Sequence, residues 1–88
     1  MAPDEPDVYL GMGWCYIDLE QPGAAISTFK TALRYAPRLS DAYMGLAEGY
    51  RMKSDNANAV KNYEKYLDIM PSGPDADVAR RMIKLLKK

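Results

Sequence analysis

The chain has 88 residues, 48% of them apolar, with twelve acids, twelve bases, one cysteine and no histidine. That makes one small domain and argues against disorder, a disulfide framework and histidine-based catalysis. The zero net charge is lopsided: residues 1–50 carry seven acids and three bases (−4), residues 51–88 five acids and nine bases (+4). This suits head-to-tail contact or a polarised partner better than a nucleic acid.

In chain order, Val8, Tyr9, Met12, Cys15, Tyr16 and Leu19 recur at three and four and predict a first helix starting at Asp7. Pro3 and Pro6 stop it from beginning much earlier, and Gln21-Pro22-Gly23 breaks it. A second helix is expected over Gly23–Tyr35, with Ala25, Ile26, Phe29 and Leu33 inward and Pro37 closing it. Ser40 is read as the N-cap of a third helix over Asp41–Met52, whose inward set is Tyr43, Leu46, Ala47 and Tyr50. After a turn at Lys53–Asn56, a fourth helix carries Ala59, Val60, Tyr63 and Leu67 to Ile69. Pro71-Ser72-Gly73-Pro74 ends it, and a fifth helix is expected from near Asp75, with Pro74 at its first position. Its acids lie at the start and its lysines at the end, matching the helix dipole.

Residues 6–39 laid on residues 40–73 coincide in seven places: Asp7/Asp41, Tyr9/Tyr43, Gly11/Gly45, Tyr16/Tyr50, Ala25/Ala59, Leu33/Leu67 and Pro37/Pro71. Chance at ordinary residue frequencies gives about two. Leu10/Met44, Met12/Leu46, Gly13/Ala47, Ile26/Val60 and Phe29/Tyr63 keep size and polarity. A period of this length marks a stack of small units, each unable to bury its own apolar face alone.

Tyr9-Met12-Gly13-Tyr16 with Ala25-Phe29-Ala32-Pro37, and Tyr43-Leu46-Ala47-Tyr50 with Ala59-Tyr63-Pro71, resemble the tetratricopeptide repeat. Two departures stand out: tyrosine replaces the usual tryptophan at Tyr9 and Tyr43, and Tyr66 fills the small slot held by Ala32, a ring expected to pack under the fifth helix. The resemblance implies an all-α fold, a right-handed α-α superhelix of two antiparallel hairpins plus a capping helix. The expected division is a lead-in at residues 1–6, repeats at 7–39 and 40–73, and a cap at 74–88.

It also implies a protein-interaction domain, an adaptor or scaffold whose concave groove is lined by the first helix of each pair. By register that groove takes Leu10, Gly11, Trp14 and Ile17 from the first copy, Met44, Gly45, Glu48, Arg51 and Met52 from the second, and Val78 and Met82 from the fifth helix. A mostly apolar trough of this kind suits an apolar or amphipathic peptide or protein surface. Trp14 is the expected hot spot, against the plainer reading of a core tryptophan. Gly11 and Gly45 offer either bare backbone to a partner or the small size that adjacent first helices need. Glu48 and Arg51, three apart, serve either a ligand or each other. Some tetratricopeptide domains grip a C-terminal carboxylate with Lys and Asn; the matching places here hold Leu10, Trp14 and Gly45, so that mode is rejected.

Nothing in the chain suggests an enzyme. Cys15 lacks a histidine base and is read as a small buried or end-face residue; the carboxylates show no paired or metal-ligand spacing; and Gly11-Met12-Gly13 lacks the rest of a phosphate loop. No catalytic residue, metal, cofactor, small-molecule substrate, nucleic acid or membrane contact is expected, and no apolar run approaches the ~18 residues of a span. The competing readings are a self-assembling structural module and, third, lipid or nucleic-acid contact through the basic fifth helix. The N-terminal edge has no cap, with Val8, Met12 and Cys15 outward. The chain is therefore expected to be a piece of a longer protein, or to pair with a second copy through that edge. A cytoplasmic location is the default expectation.

Overall fold

The computed structural model describes residues 5–87. Most of them lie in five helices: α1 Pro6–Asp18, α2 Pro22–Tyr35, α3 Ser40–Met52, α4 Asn56–Ile69 and α5 Ala76–Leu86. Most of the lead-in expected at residues 1–6, including Pro3, lies outside the described residues, as does Lys88.

Prolines set two of the starts. Pro6 and Pro22 each begin a helix, where the ring's fixed φ fits and its missing N–H would have no intrahelical partner. Asp55 caps α4 by a different means: its Oδ1 accepts from the Asn58 N–H at 3.2 Å. Four expected starts move: α1 begins at Pro6, not Asp7, and α2 at Pro22, not Gly23. Ser40 is the first helical residue of α3, not its cap; Leu39 occupies the cap, without a side-chain bond. Pro74 lies in a turn, because the chain is still turning there: the Asp75 N–H donates to the Tyr66 hydroxyl at 3.0 Å and the Ala76 N–H to the Gly73 carbonyl at 3.1 Å.

The period of 34 seen in residue types is repeated in the backbone hydrogen bonds. At the end of α1, Glu20 N–H donates to Ile17 and Gln21 N–H to Tyr16; at the end of α3, Ser54 donates to Arg51 and Asp55 to Tyr50. Each pair is a Schellman closure, and the residue it forces into the left-handed region is Glu20 (φ 57°) in one copy and Ser54 (φ 61°) in the other. The turns after α2 and α4 match as well: Ala36 to Ala32, Leu39 to Ala36 and Ala42 to Leu39 correspond to Met70 to Tyr66, Gly73 to Met70 and Ala76 to Gly73.

Packing follows chain order: α1 on α2, α2 on α3, α3 on α4, α4 on α5, with α1 also touching α3. The chain is thus an all-α solenoid of two helix hairpins and a fifth helix, about two helix layers thick at 17 Å on its shortest axis. The first core cluster joins Ala25, Ile26 and Phe29 of α2 to Ala42 and Leu46 of α3. The second joins Met44 and Ala47 of α3, Ala59, Tyr63 and Tyr66 of α4, and Ala76 and Ala79 of α5.

Close approach is built on missing side chains. Phe29 sits between two glycines: a Cβ on Gly13 of α1 would lie 2.5 Å from its ring, and one on Gly45 of α3 would lie 2.3 Å away. The ring therefore fills space that only glycine leaves at both positions. Tyr66 packs under α5 as its size demands, facing the small Ala76 and Ala79, and Gly73 leaves room for its hydroxyl.

Candidate functional site

The residues assigned to a groove lie on α1, α3 and α5, the first helix of each unit. Register fixes their spacing: Leu10, Trp14 and Ile17 correspond to Met44, Glu48 and Arg51, and to Val78, Met82 and Leu85. Their exposure differs sharply. Val78 and Leu85 are 44% and 51% exposed, whereas Met44 is only 9% exposed and belongs to the second core cluster. Leu10, Trp14, Ile17, Met52 and Met82 are half-buried.

Trp14 bridges the molecule. It packs against both clusters, and its indole and the Phe29 ring meet edge to face, 5.3 Å between centroids with the planes 72° apart. That edge-to-face geometry is favourable for aromatic quadrupoles. The ring is half-buried, so it is neither sealed in the core nor standing free. Leu10 and Ile17 flank it along α1 and lean on the first cluster.

The two glycines separate. Gly11 is exposed with nothing within 4 Å of where a Cβ would be, so its backbone lies open. Gly45 is buried, and the space of its missing side chain is taken by Phe29 of α2. It offers no bare backbone to a partner, and what it accommodates is a second helix's ring, not an adjacent first helix.

Glu48 and Arg51 satisfy each other. Arg51 Nε donates to Glu48 Oε1 at 3.2 Å, and Nη2 donates to Oε2. The bond to Glu48 raises the Arg51 pKa above its ordinary value, against the opposing effect of burial. Burial, and then the Glu48 carboxylate, push the Tyr63 hydroxyl up. The pair is partly exposed, so its contribution is about 0.2–0.5 kcal/mol.

Among the described residues no pocket is enclosed, no group of three or more metal-ligating side chains comes together, and no helix is long and apolar enough to cross a membrane. Cys15, the sole cysteine, is exposed on α1. Two basic groups on and just after α5 are engaged: Arg80 with Asp77 and the Pro71 carbonyl, and Lys87 at the helix C-cap with Glu64 at 3.3 Å.

Two features were invisible to pattern reading. One is the stack of Tyr9 on Tyr35 (5.8 Å between centroids, planes 11° apart), while its counterpart Tyr43 donates to the Pro37 carbonyl at 3.1 Å. The other is Lys30 of α2 over the Tyr50 ring of α3 at 5.9 Å, a cation–π contact between helices. The recurrence of tyrosine at these places was the only available signal.

Residues 6–39 match the tetratricopeptide repeat, a unit that generally mediates protein–protein interaction and is typically not catalytic. The cellulose synthase operon protein C of Escherichia coli K12 is 34% identical over 73 residues, covering 83% of this chain; the putative protein of the same description from strain O157:H7 gives the same figures. A serine/threonine-protein phosphatase T of Trypanosoma brucei brucei is 30% identical over 71 residues, covering 81%. The chain spans only 6% of the first two relatives and 15% of the third. With that match on the first helix hairpin, and the same turns and closures recurring 34 residues later in the second, the chain belongs to the tetratricopeptide repeat family.

Proposed function

We propose that this domain is an adaptor that docks a mainly apolar or amphipathic helix or protein surface along the side formed by α1, α3 and α5. The observation that carries the reading is Trp14: the one tryptophan is held against Phe29 yet stays half-buried, between half-buried Leu10 and Ile17. A rigid aromatic anchored on one edge and partly open on the other is the usual composition of a binding hot spot. Exposed Val78 and Leu85 add apolar surface on α5. The Glu48–Arg51 pair would supply a polar rim. Gly11 is the only one of the two repeated glycines that leaves open backbone for a partner.

The relatives support a docking role. A cellulose synthase operon protein and a protein phosphatase have no reaction in common by name, so the short segment each shares with this chain is better read as a module for holding another protein.

Helical peptides selected from a random library against the domain provide the test. Trp14→Ala should weaken the selected peptides by about 2 kcal/mol or more. Because Trp14 also packs on the core, Val78→Glu is the companion variant: its side chain is exposed, so the fold should hold while binding drops. Unchanged affinity in a folded Val78→Glu protein, together with unperturbed amide shifts along α1, would sink the reading. Self-association as a structural module is the competing function; light scattering that shows a concentration-dependent mass at micromolar protein would favour it.

A further inference from the structure

We propose that the guest of the groove is an amphipathic helix of another protein with one basic flank, seated along a row of aspartates at the groove's edge; this assignment rests on the docking role proposed above. The helical period extends each groove stripe by one more residue. Asp7, Asp41 and Asp75 lie three residues before Leu10, Met44 and Val78, and share with them one face of their helices. All three occupy the same repeat position. Asp7 and Asp41 stand in the first turns of α1 and α3, and Asp75 is the N-cap of α5. An acidic row therefore crosses the helices beside an apolar one.

These carboxylates are free. Asp7 and Asp41 are exposed, and none of the three carboxylates takes part in an ion pair or hydrogen bond among the described residues. Other acids are employed: Asp55 caps α4, Glu48 holds Arg51, Asp77 holds Arg80 and Glu64 holds Lys87. Arg38, in the turn before α3, pairs with none of the row. The helix dipole alone does not account for the arrangement, because α2 and α4 begin without an acid in their first turns.

Charge and spacing together specify the visitor. An apolar row edged by free acids favours apolar side chains edged by bases, and a guest acid there would meet like charge. Since α1 touches α3, their axes lie about 8–10 Å apart. A guest helix lying along the row covers that distance in about two turns, at about 1.5 Å per residue. Bases recurring about every seventh residue on one flank would thus meet Asp7 and Asp41 in turn, with apolar residues three or four positions from each base facing Leu10 and Met44.

Three stapled peptides with one apolar face are the probes, carrying lysine, glutamine or glutamate at every seventh flank position; circular dichroism checks their helicity. Their binding to the whole chain is read by fluorescence anisotropy at low salt. The lysine peptide should bind about tenfold or more tighter than the glutamate peptide, with glutamine between them. Asp7→Asn with Asp41→Asn should cut that preference to about threefold or less. Asp18→Asn with Glu20→Gln removes the same charge at the far end of α1 and should leave the preference intact. Equal affinity for the three peptides overturns the proposal while the docking role stands; failure of all three to bind below about 1 mM sinks both. An equal loss of preference in the two double variants also overturns it, by tracing the effect to the acidity of the N-terminal half as a whole. Sedimentation that shows self-association abolished by Asp7→Asn with Asp41→Asn would give the row to a second copy, and likewise overturns it.

Discussion

The two helix hairpins share one backbone plan and differ in what surrounds it. α3 buries six residues, Ala42, Met44, Gly45, Leu46, Ala47 and Gly49; α1, with nearly the same register of small and apolar residues, buries only Gly13. The difference lies in neighbours, since α3 sits between α2 and α4 while α1 has α2 and the flank of α3. A repeat therefore defines positions, and stacking decides which of them become core. The fourth helix shows the complementary case. Tyr66 occupies the slot of Ala32 and is buried in one cluster with Ala76 and Ala79 of the next helix.

Tyr66→Ala breaks that packing and should have the largest effect. It empties a fully buried ring site, at a cost of about 3–5 kcal/mol, a large part of what a domain this small possesses. Urea unfolding measures it, and Tyr66→Phe should lose only the hydroxyl bond to Asp75, about 0.5–1.5 kcal/mol. Equal losses in the two variants would mean that ring packing under α5 contributes little.

The two repeated glycines sharpen the contrast, because the same substitution should change sign between them. Gly45→Ala drives a methyl into Phe29 and should destabilise by about 1–3 kcal/mol. Gly11→Ala meets nothing and replaces a helical glycine, so it should stabilise by about 0.5–1 kcal/mol. Thermal melts of the pair decide, and a shift of the same sign in both would break the contrast.

The hairpin closures should respond alike in both copies. Glu20→Gly and Ser54→Gly each relieve a side chain held in the left-handed region, and each should stabilise by about 0.5–1 kcal/mol. A loss in either melt would show that its side chain supports the turn.

The smallest effect separates the starts of α2 and α4. Hydrogen bonds from Asn58, side chain first and backbone second, hold the Asp55 carboxyl below its ordinary range. A depressed folded pKa stabilises the protein above the unfolded value of about 3.9 and loses that stabilisation as pH falls through it and then through the lower folded value. The counterpart Gln21 does not titrate and makes no cap bond. Stability of an Asp55→Asn variant should therefore fall less between pH 6 and acid than that of the native chain, in urea titrations at about pH 6 and about pH 3. Parallel curves would remove Asp55 from the acid response.

Helix order, the period and the family were legible because they rest on spacing within one chain: a proline or a three-and-four repeat acts on its own helix wherever that helix ends up. Tyr66 was legible as an exception for the same reason. The starts of α3 and α5 were not, since each depends on hydrogen bonds made by the preceding turn, and in α5 by a tyrosine nine residues earlier. The residues proposed for a groove fall on α1, α3 and α5 as their register predicts, but their exposure was hidden. Gly11 and Gly45 are the same letter at the same repeat position, and nothing in either says that one faces water and the other a phenyl ring.

The sequence by itself determined five helices, their pairing and the periodic sites at which small residues admit large ones, because those follow from local sterics and the helical period. Only the tertiary structure decided which sites are filled. Burial belongs to the contact between two helices, and a residue's own neighbours in the chain carry no information about whether a second helix arrives.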